Sequence, residues 1–111
     1  MLTICIDAGH YKKTTGRRCP KVLDVHETRE WELNRRVADS LQELLKSYDC
    51  ATVRADDPTG NVLKSLAERV SAAEKAKADC YISIHHNAGA KCGKGGGTVV
   101  YTAPGCSEKS L

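Results

Sequence analysis

Two histidines in this chain of 111 residues follow short apolar runs, at positions where a strand would end. His10 comes after the run at residues 2–6 and the turn-forming residues 7–9, and His85 comes after residues 81–84. In an open α/β sheet, ligands bind in the crevice at the carboxyl ends of the strands. Two imidazoles that meet there would make half of a metal site, because imidazole is a preferred ligand of zinc.

The third ligand of such a site is expected to be a carboxylate. Each histidine taken alone is more typical of a surface or packing residue, but two at equivalent strand ends favour a metal. Catalytic zinc sites have three protein ligands and leave the fourth position for water. Glu30, at the start of a predicted helix, is the candidate, with Asn34 one turn further on the same side. Glu27 and Asp24 are nearby alternatives, and Glu30 would also favour the helix dipole without any metal.

Alternating strand-like and helix-like segments must position these side chains. Apolar runs predict strands, and apolar residues with a helical period predict helices. The predicted strands are residues 2–6, 51–54, 80–84 and 98–102, and the predicted helices begin at Glu30 and after Ser65, the second ending near residue 77. This order predicts an α/β fold, a three-layer sandwich with a mainly parallel sheet flanked by helices.

Each predicted helix has its own signals. In the second, Ser65 and Glu68 form the capping-box pattern. The side chains expected to face inward are Leu33, Val37, Leu41, Leu44 and Leu45 in the first helix, and Leu66, Val70 and Ala73 in the second. Residues 7–29 show no period, and so long a loop in a compact domain is typically functional. A second loop, glycine-rich, is expected at residues 89–97, and the first turn of a further helix at residues 107–111.

The composition excludes several classes of protein. The formal net charge is only +3, from 17 basic and 14 acidic residues that are mixed along the chain, which does not indicate nucleic-acid binding. No apolar run approaches the roughly 20 residues of a membrane span. The chain enters a strand directly at its N-terminus, so we expect no signal peptide.

The six cysteines are expected to be mostly reduced. Cys5 and Cys80 lie in or beside apolar strands, where a free thiol behaves as a small hydrophobic side chain. No Cys-x-x-Cys pair occurs, so neither a thioredoxin-type motif nor a zinc ribbon is indicated. A disulfide among Cys92, Cys106 and the other loop cysteines is the alternative.

Four short motifs in order along the chain carry a resemblance to a known family. They are Ile6-Asp7-Ala8-Gly9-His10, Arg29-Glu30-Trp31-Glu32-Leu33-Asn34, Ser65-Leu66-Ala67-Glu68-Arg69 and Ser83-Ile84-His85-His86-Asn87-Ala88. Together they closely resemble the zinc-dependent N-acetylmuramoyl-L-alanine amidases, the amidase type 3 family of bacterial autolysins and phage endolysins. The resemblance covers nearly the whole chain.

The resemblance implies a set of site residues. The family's metal ligands fall on His10, Glu30 and His85, which would bind Zn²⁺. Residues expected to contact the substrate are His86, Asn87 and Asn34. His86 stands where the family usually has a small residue, and Tyr11-Lys12 stands where it usually has Gly-Gly, so the loop after His10 is expected to differ in shape.

The resemblance also implies an activity. The expected reaction is hydrolysis of the amide between N-acetylmuramic acid and L-alanine in peptidoglycan, so the partner would be the cell wall, reached by secretion or after lysis. Zinc would polarise the carbonyl and lower the pKa of its bound water. A general base must still accept a proton from that water.

The family's general base is a glutamate on a strand beyond the region that matches Leu111. Residues 1–111 are therefore interpreted as the N-terminal part of a single catalytic domain, without the family's last helix and strand, and neither Glu27 nor Glu108 has a context that recommends it as a substitute. The alternative is a zinc- and wall-binding module without turnover, and a further one is a structural domain whose histidines only pack. An uncovered sheet edge near Val99 and Tyr101 predicts self-association.

Overall fold

The computed structural model describes residues 1–87 and 97–104. Its elements are strand β1 (Leu2–Ala8), helix α1 (Glu30–Leu45), strand β2 (Cys50–Arg54), helix α2 (Leu66–Lys75) and strand β3 (Cys80–Ile84). The three strands form one parallel sheet in the order β2-β1-β3. This confirms the predicted α/β class, and β1 is longer than predicted because Asp7 and Ala8 still pair with β3.

One face of the sheet packs against α1. Side chains alternate along β1, so Ile6 and Ala8 point to the same face, where they form a buried cluster with Ala38 of α1. Partly buried apolar side chains surround this cluster, namely Ile4, Leu41, Leu45 and Ile84. Strand β1, which leads to His10, is therefore the central and most buried strand of the described sheet.

The opposite face of the sheet meets α2. Asp7 points to this face, and its carboxylate accepts a hydrogen bond of 2.6 Å from Nη1 of Arg69 in α2. The sheet therefore lies between α1 and α2, which confirms the three-layer arrangement. Ser65 caps α2 as predicted, since its hydroxyl accepts from the Glu68 N–H at 3.1 Å and the Glu68 carboxylate accepts from the Ser65 N–H at 3.2 Å.

The inward faces of both helices match the predicted apolar stripes only in part, since Leu41 and Leu45 pack against the core as predicted. The buried residues of α1 are Trp31, Asn34 and Ala38, whereas Val37 and Leu44 are exposed. In α2 the buried residue is Arg69, whereas Leu66 is 77% exposed and Val70 is also exposed. The physical reason is that the buried faces carry polar side chains that bond to the strand ends, which a search for apolar residues alone does not detect.

The predicted strand at residues 98–102 is wrong. The described part of the chain has no regular structure there, and Val100 and Tyr101 are 81% and 85% exposed. A strand needs a neighbour for its backbone N–H and C=O groups, and residues 98–102 pair with none of the three described strands. Self-association through an uncovered edge stays a prediction. The predicted glycine-rich loop, apart from Gly97, and the helical turn at residues 107–111 lie outside the described residues.

The helices described here include none that is long and apolar enough to cross a membrane.

The cysteines give a first testable prediction. Cys5, Cys19, Cys50 and Cys80 are free thiols, and burial raises the pKa of the Cys5 thiol, which keeps it protonated and unreactive. Cys92 and Cys106 lie outside the described residues. We expect thiol titration of the unfolded, unreduced protein to count close to the six cysteines of the sequence. A count near four would indicate one disulfide, and a count near zero would indicate a disulfide-stabilised secreted domain.

Candidate metal centre

The candidate centre lies where β1 and β3 end. The two strands are parallel neighbours, and the register that pairs Ala8 with Ile84 brings the residues after them side by side. A hydrogen bond of 2.9 Å from the Gly9 N–H to the Ile84 carbonyl continues this pairing by one step. The His10 and His85 rings consequently meet edge to face, with their centroids 5.1 Å apart.

Gly9 is required at this point for space. A Cβ atom added at Gly9 would lie only 2.2 Å from Cε1 of the His85 ring. The sharp turn itself occurs at the next residue, because His10 has a φ of 66° in the left-handed region. The sequence motif therefore combines a glycine that admits the second imidazole with a histidine whose backbone conformation is unfavourable for a residue with a Cβ.

Glu30 reaches the two histidines from the start of α1. The loop before the helix is pinned by an isolated bridge between Arg18 and Arg29 and by a hydrogen bond of 2.8 Å from the Glu30 N–H to the Arg17 carbonyl. The backbone at Arg29 is extended and α1 begins at Glu30, as predicted. The carboxylate therefore sits in the first turn, where the helix dipole favours a negative charge.

The three side chains form a compact cluster. Oε2 of Glu30 lies 3.2 Å from Nε2 of His10, and Oε1 of Glu30 lies 3.1 Å from Nδ1 of His85. The candidate ligand atoms all lie within 4.8 Å of one another. Tetrahedral zinc with bonds of about 2.0–2.2 Å separates its ligand atoms by roughly 3.4 Å. The two imidazoles and the carboxylate therefore fit a zinc ion in both chemistry and spacing.

Neither alternative carboxylate joins this cluster. The Asp24 carboxylate accepts hydrogen bonds from the His26 and Thr28 N–H groups at 3.0 and 2.9 Å, which fold the loop on itself. The Glu27 carboxylate lies 3.9 Å from the Arg18 guanidinium.

At His10 and Glu30, the protonation states that metal binding needs are favoured. Burial, only partly opposed by the negative charge of Glu30, lowers the pKa of the His10 imidazole. For the Glu30 carboxyl, burial acts to raise the pKa, but the hydrogen bond from the His86 N–H and the nearby His10 imidazole lower it, and the resulting pKa lies below its usual value. A neutral imidazole and an ionised carboxylate are the forms that bind a metal ion.

Asn34 lies behind the cluster and supports it. Its side chain is fully buried, and its amide group donates to the Gly9 carbonyl at 3.1 Å and to Oε1 of Glu30 at 3.4 Å. Its Oδ1 is thereby left to accept from Nδ1 of His86 at 2.7 Å. This position supports a role in holding the ligands, and the expected contact of Asn34 with a substrate stays a prediction. His86 and Asn87 are exposed beside the cluster, and their contact with a substrate stays a prediction.

A cleft of about 480 Å³ opens beside His10 and His85. Its walls combine basic, hydroxyl and apolar side chains, among them Lys13, Lys64, Thr14, Thr15, Leu63 and Leu66. Among the described residues, Asp7 is the one carboxylate that lines it, and both Arg69 and the Tyr81 hydroxyl bond to that carboxylate. The cleft thus presents both basic and apolar side chains beside the candidate ligands.

The sequence reasoning missed the buried charged residues around the strand ends. Asp7, Asp56 and Arg69 are buried, and Arg54 binds the Asp56 carboxylate with two hydrogen bonds of 2.8 Å. Arg69 lies three residues after Leu66 in the helix, but Leu66 itself is exposed, so the apolar pattern gave no valid signal for the burial of Arg69.

Comparison with known proteins gives a consistent result. The family model described as N-acetylmuramoyl-L-alanine amidase matches residues 4–110. The catalytic domain of CwlV, an N-acetylmuramoyl-L-alanine amidase from Bacillus (Paenibacillus) polymyxa var. colistinus, is 27% identical with a TM-score of 0.68, over 82% of this chain and 48% of that one. The N-acetylmuramoyl-L-alanine amidase of Clostridium difficile 630 is 29% identical with a TM-score of 0.67, over 88% of this chain and 48% of that one.

A third structure shares the fold. The N-acetylmuramoyl-L-alanine amidase AmiC2 of Nostoc punctiforme is 23% identical with a TM-score of 0.64, over 78% of this chain and 44% of that one. The chain thus spans about half the length of each of these three solved structures. The search of curated proteins found no significant match.

Proposed function

The chain belongs to the N-acetylmuramoyl-L-alanine amidase family, and from this premise we propose that it is the zinc-binding part of a domain that cleaves peptidoglycan. The bond cleaved is the amide between N-acetylmuramic acid and L-alanine. The observation that carries this proposal is the convergence of His10, Glu30 and His85 on one point at the sheet edge. Residues 1–111 are the N-terminal part of this catalytic domain.

His10, Glu30 and His85 would hold a zinc ion, which would supply a Lewis acid for the scissile carbonyl and lower the pKa of a bound water. The chain's own residues prepare the site for this chemistry. Glu30 brings one negative charge to balance the ion, and its hydrogen bonds to His86 and Asn34 fix its orientation. Asn34 also fixes the Gly9 carbonyl, so that both strand ends and the start of α1 are held by one buried amide.

The cleft beside the ligands suits a peptidoglycan stem peptide. Lys13 and Lys64 contribute ammonium groups that attract the free carboxylates of such a peptide, and Leu63 and Leu66 offer exposed apolar surface to its aliphatic side chains. The slight net charge of +3 is compatible with an anionic wall polymer. The site of action is the cell wall.

The identity of the cleaved bond tests this proposal. Purified walls are incubated to completion with zinc-loaded protein, and the new chain ends are labelled. We expect new amino termini that are L-alanine and no new reducing sugar ends. Glu30→Gln should remove the activity, whereas His26→Ala, at an exposed histidine outside the cluster, should leave it unchanged. New reducing ends would instead indicate a glycosidase, and another amino-terminal residue would indicate a peptidase.

A second candidate function is zinc and wall binding without turnover. The observation in its favour is that the one carboxylate lining the described cleft, that of Asp7, already bonds to Arg69 through one oxygen and to the Tyr81 hydroxyl through the other. This alternative would be selected by three results together. The protein would bind stoichiometric zinc and sediment with purified walls, and it would produce no new amino termini after prolonged incubation.

A further inference from the structure

Arg69 is a buried arginine that contacts the end of β1 from the opposite side of the sheet. It is 6% exposed, and its guanidinium makes four hydrogen bonds within the chain. Nη1 donates to the Asp7 carboxylate at 2.6 Å and to the Ala8 carbonyl at 2.9 Å. Nη2 donates to the His10 carbonyl at 3.0 Å, and Nε donates to the Lys64 carbonyl at 2.9 Å.

We propose that Arg69 is a positioning residue that holds His10 in its left-handed backbone conformation and thereby sets the metal affinity of the site. This inference rests on the proposed zinc site, in which His10 is a ligand. Arg69 does not contact the metal position itself. It acts through the backbone of the ligand, at a carbonyl whose direction depends on the φ and ψ angles of His10.

His10 needs such support because its φ of 66° is unfavourable for a residue with a Cβ. Backbone strain of this kind persists where the surrounding structure over-determines the conformation. Here the preceding peptide groups are all held: the Ala8 N–H by Asp56, the Gly9 N–H by the Ile84 carbonyl and the Gly9 carbonyl by Asn34. The His10 carbonyl is the last group of the turn, and Arg69 is what binds it.

An arginine suits this position for a geometric reason. Its planar group carries five N–H donors in a fixed fork, so it can bind two carbonyls and a carboxylate at once. Asp7 neutralises the buried positive charge, and the Tyr81 hydroxyl bonds to the other oxygen of that carboxylate. A lysine would keep the ion pair but has no fork with which to bind the Ala8 and His10 carbonyls together.

The test measures metal affinity and ligand geometry apart from activity. Arg69→Lys is loaded with zinc in competition with a chelator and, separately, with cobalt(II), whose visible bands report the ligand arrangement. We expect a 10–100-fold weaker affinity for both metals, the effect typical of residues that orient a ligand, and altered cobalt bands. Lys75→Met, which removes a positive charge from an exposed position of the same helix, should leave affinity and bands unchanged.

A double variant separates positioning from folding. Arg69→Met alone leaves the buried Asp7 charge without its ion-pair partner and is expected to lower the thermal midpoint of unfolding. Asp7→Asn with Arg69→Met removes both charges and should recover most of the midpoint while the metal affinity stays low. Recovery of the affinity together with the midpoint would overturn the proposal, because Arg69 would then act on stability alone.

Metal binding by the wild-type protein separates failure of the Arg69 role from failure of the zinc site. If it binds zinc and cobalt stoichiometrically while Arg69→Lys binds both as tightly and with the same bands, the positioning role is wrong and the zinc site stands. If the wild-type protein binds neither metal, the zinc site fails, and the role of Arg69 fails with it.

Discussion

His85→Ala is expected to abolish stoichiometric zinc binding, whereas His86→Ala is expected to retain it. The His85 ring lies 3.1 Å from the Glu30 carboxylate and edge to face with the His10 ring, so its removal leaves two ligands of the three. His86 bonds to Asn34 through its ring and to Glu30 through its backbone N–H, and the alanine variant keeps the second of these bonds. The affinity of His86→Ala should therefore fall by about 10–100-fold at most.

The measurement is metal content after dialysis, set against protein concentration, with far-UV circular dichroism as the folding control. We expect about one zinc per chain for the unaltered protein and for His86→Ala, and none for His85→Ala. Loss of the metal in His86→Ala alone would show that the second imidazole of the site is His86, and that the assignment of ligands at the end of β3 is off by one residue.

The sequence was sufficient to predict how β1 and β3 place their histidines. The rule that parallel strands end at one edge of a sheet needs only the two apolar runs, and the register of Ala8 with Ile84 follows it. The choice of Glu30 as the third ligand was harder to make, because Asp24 and Glu27 are also carboxylates and lie in the loop just before α1. What separates them is the hydrogen bonding of that loop, in which Asp24 bonds to nearby N–H groups.

The parts that escaped prediction share one physical cause. Hydrophobic periodicity assumes that an inward position is apolar, yet Asn34 and Arg69 are buried and polar, each bonded to carbonyl groups at the end of β1. Val37 and Val70, which were predicted to face inward, are exposed instead. The strand expected at residues 98–102 failed for another reason, since β-propensity does not supply a partner for its backbone.

The second large effect concerns rate. The zinc-loaded chain of residues 1–111 is expected to hydrolyse peptidoglycan about 10²–10⁴-fold more slowly than the same chain extended by the family's remaining helix and strand, the contribution typical of general acid–base catalysis. The physical reason is the lack of a free carboxylate near the ligands in the described part of the chain. Asp7 is held by Arg69 and Tyr81, and Glu30 bonds to both histidines.

Both proteins are assayed on the same purified walls with saturating zinc, and the release of L-alanine amino termini is followed over time. A matched control replaces the glutamate supplied by the extension with glutamine, which should return the rate to that of residues 1–111 while zinc remains bound.

Comparable rates for the short and extended chains would show that a residue within 1–111 accepts the proton. Glu27 would then be the first residue to replace with glutamine, because its side chain is 40% exposed and its carboxylate makes one long ion pair, at 3.9 Å from Arg18. Glu108, outside the described residues, would be the second. A general base that the extension supplies predicts instead that neither substitution changes the slow rate of the short chain.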